Sequence, residues 1–164
     1  GPNSQSMPKL HQYNTLLRWT GDTGKGTESY RAYERSYTVS INGKPEIAGS
    51  SDPAFRGDPS KYNPEEMLVA ALSACHMLSF LHFCSAAGVV VVGYTDSAIG
   101  TMEESQSGNG RFTEVMLKPN VIVKEASMIE KVNVLHDKAH QYCFIANSCN
   151  FPVLHSGVCN VDRI

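Results

Sequence analysis

Hydrophobic and polar positions change texture three times along the chain. From Leu10 to Ile47, bulky apolar and aromatic residues stand among polar ones. Tyr13, Leu16, Leu17 and Trp19 precede a turn-rich Gly21-Asp22-Thr23-Gly24-Lys25-Gly26, and Tyr30, Tyr33, Tyr37, Val39 and Ile41 run up to Asn42-Gly43. Aromatic and β-branched enrichment between glycine-rich turns predicts strands, and Asn-Gly is a strong two-residue hairpin signal because both residues tolerate positive φ. Residues 48–62 hold two prolines and two glycines and predict a long loop. Asn63 then reads as an N-cap, with Pro64 at the first helical position, Glu65 and Glu66 in the first turn, and Glu66 placed for a capping box.

The apolar run after Glu66 predicts a helix to about Ala87, where Gly88 supplies a stop and Val89 to Val92 turn β-branched. Two strands follow, at about 89–104 and 111–124, joined by the polar turn 105–110. Ser127-x-x-Glu130 reads as a second capping box, opening a helix that carries Met128, Ile129, Val132, Leu135, Ala139 and Tyr142. A short strand near 157–161 closes the chain. The predicted order is βββ-α-ββ-α-β, an α+β fold with two helices on an antiparallel sheet, in one domain over residues 7–164. Residues 1–6 read as an expression scar before Met7.

A chain of 164 residues can bury about two-thirds of its unfolded surface in one core, so no disulfide staple is needed. A net charge of −2, without clusters of Lys or Arg, leaves no electrostatic footprint for nucleic acid or a membrane surface. Ser73, His76, Ser79, His82 and Ser85 interrupt the stretch 67–92, which is therefore not read as a membrane span, and no secretory signal is read at the start. Five cysteines, Cys75, Cys84, Cys143, Cys149 and Cys159, are an odd and sparse set. They predict a reducing, cytoplasmic compartment, where most thiols are packing groups.

Taken alone, Cys75 is a small hydrophobe about three turns into the first helix, with Ala71, Leu72, Leu78 and Ser79 beside it. Its setting adds more. The run from Asn63-Pro64-Glu65-Glu66 to Ser73-Ala74-Cys75, followed later by Ala139-His140-Gln141-Tyr142-Cys143, resembles the osmotically inducible protein C and organic hydroperoxide resistance family (OsmC/Ohr), over roughly residues 10–164. The resemblance implies a thiol peroxidase acting on organic (alkyl or lipid) hydroperoxides in oxidative-stress defence. It places Cys75 at the peroxidatic and Cys143 at the resolving position. A thiolate attacks the O–O bond, becomes a sulfenic acid, and condenses with the second thiol before further oxidation.

The resemblance also implies an intertwined homodimer with sites at the subunit interface, a dithiol reductant of the dihydrolipoamide type, and no metal, haem or flavin. In the family an arginine activates the thiol and a glutamate holds it; Glu65 matches that glutamate, although a first-turn acid is favoured by the helix dipole in any case. Arg31 and Arg35 lie in the region of the family's arginine, and Arg56, in the loop leading into the helix, is the preferred candidate. Leu72, Met77, Leu78 and Phe80 around Cys75 favour an apolar substrate. Ten residues separate Glu65 from Cys75, which is about 15 Å along a helix and roughly 80° around it. A site using both needs either a break in the helix, for which no Pro or Gly stands between them, or Glu65 from one chain and Cys75 from the other.

Two features depart from the family. Phe144 stands where proline commonly follows the second cysteine, so the helix could continue and shift the Cys143 thiol, with Cys149 a substitute resolving residue. His136, His140 and Cys143 share one helix face and, with Cys75 or His76, would make a zinc set. Metal binding is thus one alternative, and a non-catalytic dimeric small-molecule-binding protein is another.

Overall fold

The computed structural model describes residues 7–163, so the scar read at residues 1–6 lies outside them. The chain divides into two compact units, one up to Pro64 and one from Glu65 onward. In the first, strands β1 (Leu16–Trp19), β2 (Tyr37–Ser40) and β3 (Ile47–Gly49) form an antiparallel sheet in that order. Leu16 stands opposite Ser40, and Val39 opposite Ile47.

These strands are shorter than the aromatic pattern predicts. Tyr30 and Tyr33 lie in a turn gathered around Arg35. Its guanidinium donates to the Tyr33 and Tyr30 carbonyls, both at 2.6 Å, and sits 3.8 Å and 4.4 Å from the same two ring centroids. Cation–π contact and two charge-assisted bonds outweigh a strand tendency here. Asn42-Gly43 also differs from the two-residue hairpin: Lys44 N–H bonds to the Ile41 carbonyl at 3.0 Å, and only Gly43 takes positive φ, at 79°. That is the pattern of a type II turn inside a longer connection, and Pro45, which lacks an N–H, prevents the ladder from closing onto it. The loop after β3 contains one 3₁₀ turn, Pro53–Phe55, capped by the Asp52 carboxylate on Ala54 N–H at 2.8 Å.

The second unit opens on helix α1 (Pro64–Ala86), which begins where the Asn63-Pro64 signal placed it. It ends in the Schellman arrangement: Gly88 has φ 73°, its N–H meets the Ser85 carbonyl at 3.3 Å, and Val89 N–H meets the Cys84 carbonyl at 2.9 Å. Leu72, His76, Phe80 and Cys84, spaced four apart, are buried in one stripe. Length and composition alone would let α1 cross a bilayer, so its serines and histidines do not exclude that on their own. In this structure the stripe packs into the unit's core.

Each of the two long strands expected after α1 is broken into two. The elements are β4 (Val91–Asp96), β5 (Ile99–Glu104), β6 (Gly110–Leu117) and β7 (Pro119–Val123). The breaks fall at Ser97-Ala98 and at Lys118, and the Asp96 carboxylate spans them. One oxygen accepts Lys118 N–H at 2.7 Å; the other accepts the Ser73 hydroxyl of α1 at 2.5 Å. The bent hairpin is thereby shared between two sheets, β4-β7-β9 and β5-β6-β8, completed by β8 (Val153–His155), which the sequence reading lacked, and β9 (Val158–Val161). Both completing strands pair parallel, Val115 with Val153 and Asn120 with Val158, so the sheets are mixed rather than purely antiparallel. The α+β class stands.

Helix α2 (Val132–Tyr142) is preceded by a 3₁₀ turn, Ala126–Lys131. The capping box expected at Ser127 and Glu130 therefore does not open the helix. An N-cap needs an extended backbone, and Ser127 lies inside the turn, whose extended residue is Glu125 at φ −131°, ψ 143°. A short helix, α3 (Phe144–Asn147), follows directly. One core cluster unites Phe80 and Cys84 with Val121, Val123, Leu135 and Ala139; the other unites Leu72 with Val115, Leu117 and Val153.

Candidate functional site

Cys75 is partly exposed on α1, while Cys143, 1% exposed, sits at the junction of α2 and α3. There the backbone turns extended, φ −73° and ψ 109°, and Cys143 Sγ accepts Ala146 N–H at 3.4 Å, capping α3. The helix does not continue through Phe144, and the shift that the missing proline would allow does not occur. The Cys143 thiol instead stands as a near neighbour of the Cys75 sulfur. Burial first, and the neighbouring Cys75 thiol second, push its pKa up to about 11. Both cysteines are free thiols, neighbours across α1 and the end of α2, and Cys143 is protonated at neutral pH.

The other cysteines are packed. Cys149 donates to the Ile145 carbonyl at 3.3 Å and lies against the cluster of Leu72 and Val115, and burial raises its pKa. Burial and neighbouring Cys159 push Cys84 up to about 12, which leaves it an inert thiol.

Glu65 occupies the first turn of α1, with one carboxylate oxygen buried and without a hydrogen-bond partner among the described residues. The helix is unbroken between it and Cys75, so about 15 Å of axis separates the two within one chain. All three arginine candidates belong to the first unit. Arg35 is held between Tyr30 and Tyr33 in this structure. Arg31 lines an open polar hollow with Lys25 and Glu28. Arg56 closes the 3₁₀ turn in the left-handed region, φ 64°, with its guanidinium 5.9 Å from the Tyr30 ring centroid.

The substrate-facing set is also narrower than the sequence suggests. Leu72 and Phe80 are fully buried in the two core clusters and line no site, whereas Leu78 is exposed and Met77 half-buried. Zinc finds no support either: among the described residues no three His, Cys, Asp or Glu are grouped to hold a metal. His136 does not face outward with His140 and Cys143. It turns into the core, stacks on Phe80 at 4.0 Å between centroids, and shares a 3.0 Å hydrogen bond between its Nδ1 and His76 Nε2.

That buried histidine pair is what sequence reasoning missed. His76 and His136 are each 1% exposed, and His155, 5.5 Å and 5.8 Å from their centroids, completes a group that reaches Asp137 through a 3.3 Å contact. Burial chiefly, with neighbouring histidines adding to it, pushes the His76 pKa down to about 4 and that of His136 to about 3, so both are neutral imidazoles. A signal existed for His76: it lies four residues from Leu72 and four from Phe80, on the buried stripe of α1.

The two thiols thus meet in a frame whose sequence also matches known proteins. A family model for OsmC-like protein matches residues 57–155, more than half of the chain and including both cysteines. The chain belongs to the OsmC-like family. Among solved structures, an OsmC-like protein of unknown function from Vibrio cholerae is 30% identical, with a TM-score of 0.81, covering 91% of this chain and 100% of that one. An organic hydroperoxide resistance protein from Elizabethkingia anophelis shares the OsmC-like fold at 22% identity and TM-score 0.67, covering 95% and 100%. Another from Legionella pneumophila does so at 15% and 0.63, covering 94% and 100%. No curated protein matches the chain in sequence.

Proposed function

We propose that this protein is a thiol-dependent hydroperoxide reductase that removes organic hydroperoxides in the cytoplasm. One observation carries the reading: in an OsmC-like frame, partly exposed Cys75 neighbours buried, protonated Cys143 closely enough to perturb its thiol. The Cys75 thiolate attacks the terminal oxygen of ROOH, the O–O bond breaks, and the leaving alkoxide takes a proton from solvent to depart as ROH, so the sulfur becomes a sulfenic acid. Cys143 sulfur then attacks Cys75 sulfur, its proton and the hydroxyl depart as water, and a disulfide forms. A dithiol of the dihydrolipoamide type returns both thiols by exchange.

The first attack needs a thiolate, hence a nearby cation. A homodimer supplies the arrangement: Glu65 of one chain holds an arginine, Arg56 or Arg31, beside Cys75 of the other. The unpartnered Glu65 oxygen supports this, since a buried carboxylate oxygen lacks a bond that a guanidinium would donate. Met77 and Leu78 offer the apolar surface for an alkyl or lipid chain, worth about 0.8 kcal/mol per methylene buried.

The test compares kcat/KM for hydrogen peroxide, cumene hydroperoxide and a fatty-acid hydroperoxide with one dithiol reductant. Organic substrates should be favoured by about tenfold or more, because only they bury apolar surface in the transition state. Equal values for all three would remove the organic-hydroperoxide assignment.

A further inference from the structure

The core around Cys75 contains a polar device that thiol chemistry does not itself require. Ser73, two residues before Cys75, is bonded to Asp96 on β4 at 2.5 Å, and His76, one residue after it, is bonded to His136 on α2 at 3.0 Å. Cys75 is thus bracketed by two directional bonds to two different elements. His136 lies seven residues, two helical turns, before Cys143 at the end of α2. Its other nitrogen, Nε2, is buried without a partner among the described residues, so among them the bond to His76 is the one hydrogen bond its ring makes.

Elsewhere α1 and α2 share chiefly apolar and aromatic surface: Phe80 and Cys84 join one cluster with Leu135 and Ala139, and Phe83 meets Tyr142 and Lys138 near the surface. Such contacts are non-directional and tolerate sliding, whereas a hydrogen bond weakens steeply with distance and angle. Two buried imidazoles also cost more to desolvate than an apolar pair of the same volume, and a feature that costs stability is better explained by the register it imposes. Disulfide closure is the step most sensitive to that register, because sulfur must reach sulfur at about 2 Å with a narrow dihedral preference.

We infer that the hydrogen bond between His76 and His136 is a positioning pair that fixes α1 against α2 so that the Cys143 thiol stays on Cys75. It governs disulfide closure rather than the first attack on substrate. The inference rests on the thiol-peroxidase reading for its place in a catalytic cycle, but the positioning itself is measurable without peroxide.

The experiment equilibrates reduced and oxidised glutathione with the full chain and measures the fraction of Cys75–Cys143 disulfide, in which two protein thiols are oxidised as one glutathione disulfide is reduced to two glutathiones. Three variants accompany the wild type. His136→Phe keeps a ring on Phe80 but leaves His76 Nε2 without its partner. The double variant His76→Leu/His136→Phe removes both polar groups, which should leave folding stability near or above wild type. His76→Gln places a polar atom where Nε2 stands.

The equilibrium constant for disulfide formation should fall at least about tenfold, or about 30 mV in potential, in His136→Phe and in the double variant. It should stay within about threefold of wild type in His76→Gln. Urea melts identify the double variant as stably folded, which separates positioning from stability. A stably folded double variant with a wild-type constant, or His76→Gln behaving like His136→Phe, would overturn the inference. Failure of the peroxidase reading looks different: wild-type Cys75 would form no sulfenic acid with a stoichiometric hydroperoxide, whatever the glutathione equilibrium shows.

Discussion

Acid should unfold this protein through the same two histidines. In the folded state their pKa values lie at about 4 and about 3; in the unfolded chain both return to the ordinary value near 6.5. Below pH 6.5 the unfolded chain therefore binds more protons than the folded one, and stability falls as pH falls. Each histidine contributes a slope approaching about 1.4 kcal/mol per pH unit until its folded pKa is reached. From pH 7 to pH 4.5 the pair costs at most about 5 kcal/mol, a large part of the roughly 5–15 kcal/mol typical of a domain.

The groups facing the pair set the size of the effect. His155 and His140 oppose a proton on His76, whereas Asp96 favours one. The assay is urea unfolding at pH 7, 6, 5 and 4.5 on the wild type and on His76→Leu/His136→Phe. Carboxylates are common to both proteins, so the difference between the two slopes isolates the histidines. The wild type should lose stability steeply over this range and the double variant much less. Parallel slopes would refute the argument, because they would mean that neither imidazole resists protonation in the fold.

Two further expectations concern single positions. Asp96→Asn should destabilise the second unit by about 1–3 kcal/mol in urea unfolding, since the Asp96 charge supports the Ser73 hydroxyl and Lys118 N–H together; an unchanged midpoint would show that the strand break needs no such anchor. Mixing Glu65→Ala with Cys75→Ser protein under subunit exchange should restore about half of the sites in the mixed dimers, because each such dimer can assemble one intact pair; no rescue despite demonstrated exchange would return Glu65 to being an acid at a helix start.

What could be read from sequence was what is decided locally. The start of α1 follows from Asn63, Pro64 and two acids in consecutive positions, and its end from Gly88, which alone there takes positive φ without a side-chain clash. Cys75 and Cys143 were legible as a pair through their motifs. The strand breaks were not, because they hang on Asp96 reaching Lys118 twenty-two residues away. Arg35 folding Tyr30 and Tyr33 into a turn is likewise a tertiary choice that overrides strand propensity. Ser127 satisfies the capping-box spacing but lies within a 3₁₀ turn, and spacing carries no information about that backbone. The histidine pair joins residues sixty positions apart, and nothing near His136 in sequence announces its partner.

The central claim is that Cys75 and Cys143 are the two ends of one redox couple. One equivalent of cumene hydroperoxide, added to the fully reduced protein, should consume two thiols per chain. Peptide mass spectrometry should find the new disulfide between Cys75 and Cys143, with Cys84, Cys149 and Cys159 still reduced. Cys75→Ser should leave all remaining thiols intact, and Cys143→Ser should stop at a Cys75 sulfenic acid. Thiol loss at Cys149 or Cys159 in place of Cys143, or peroxide consumption unaffected by Cys75→Ser, would contradict the account.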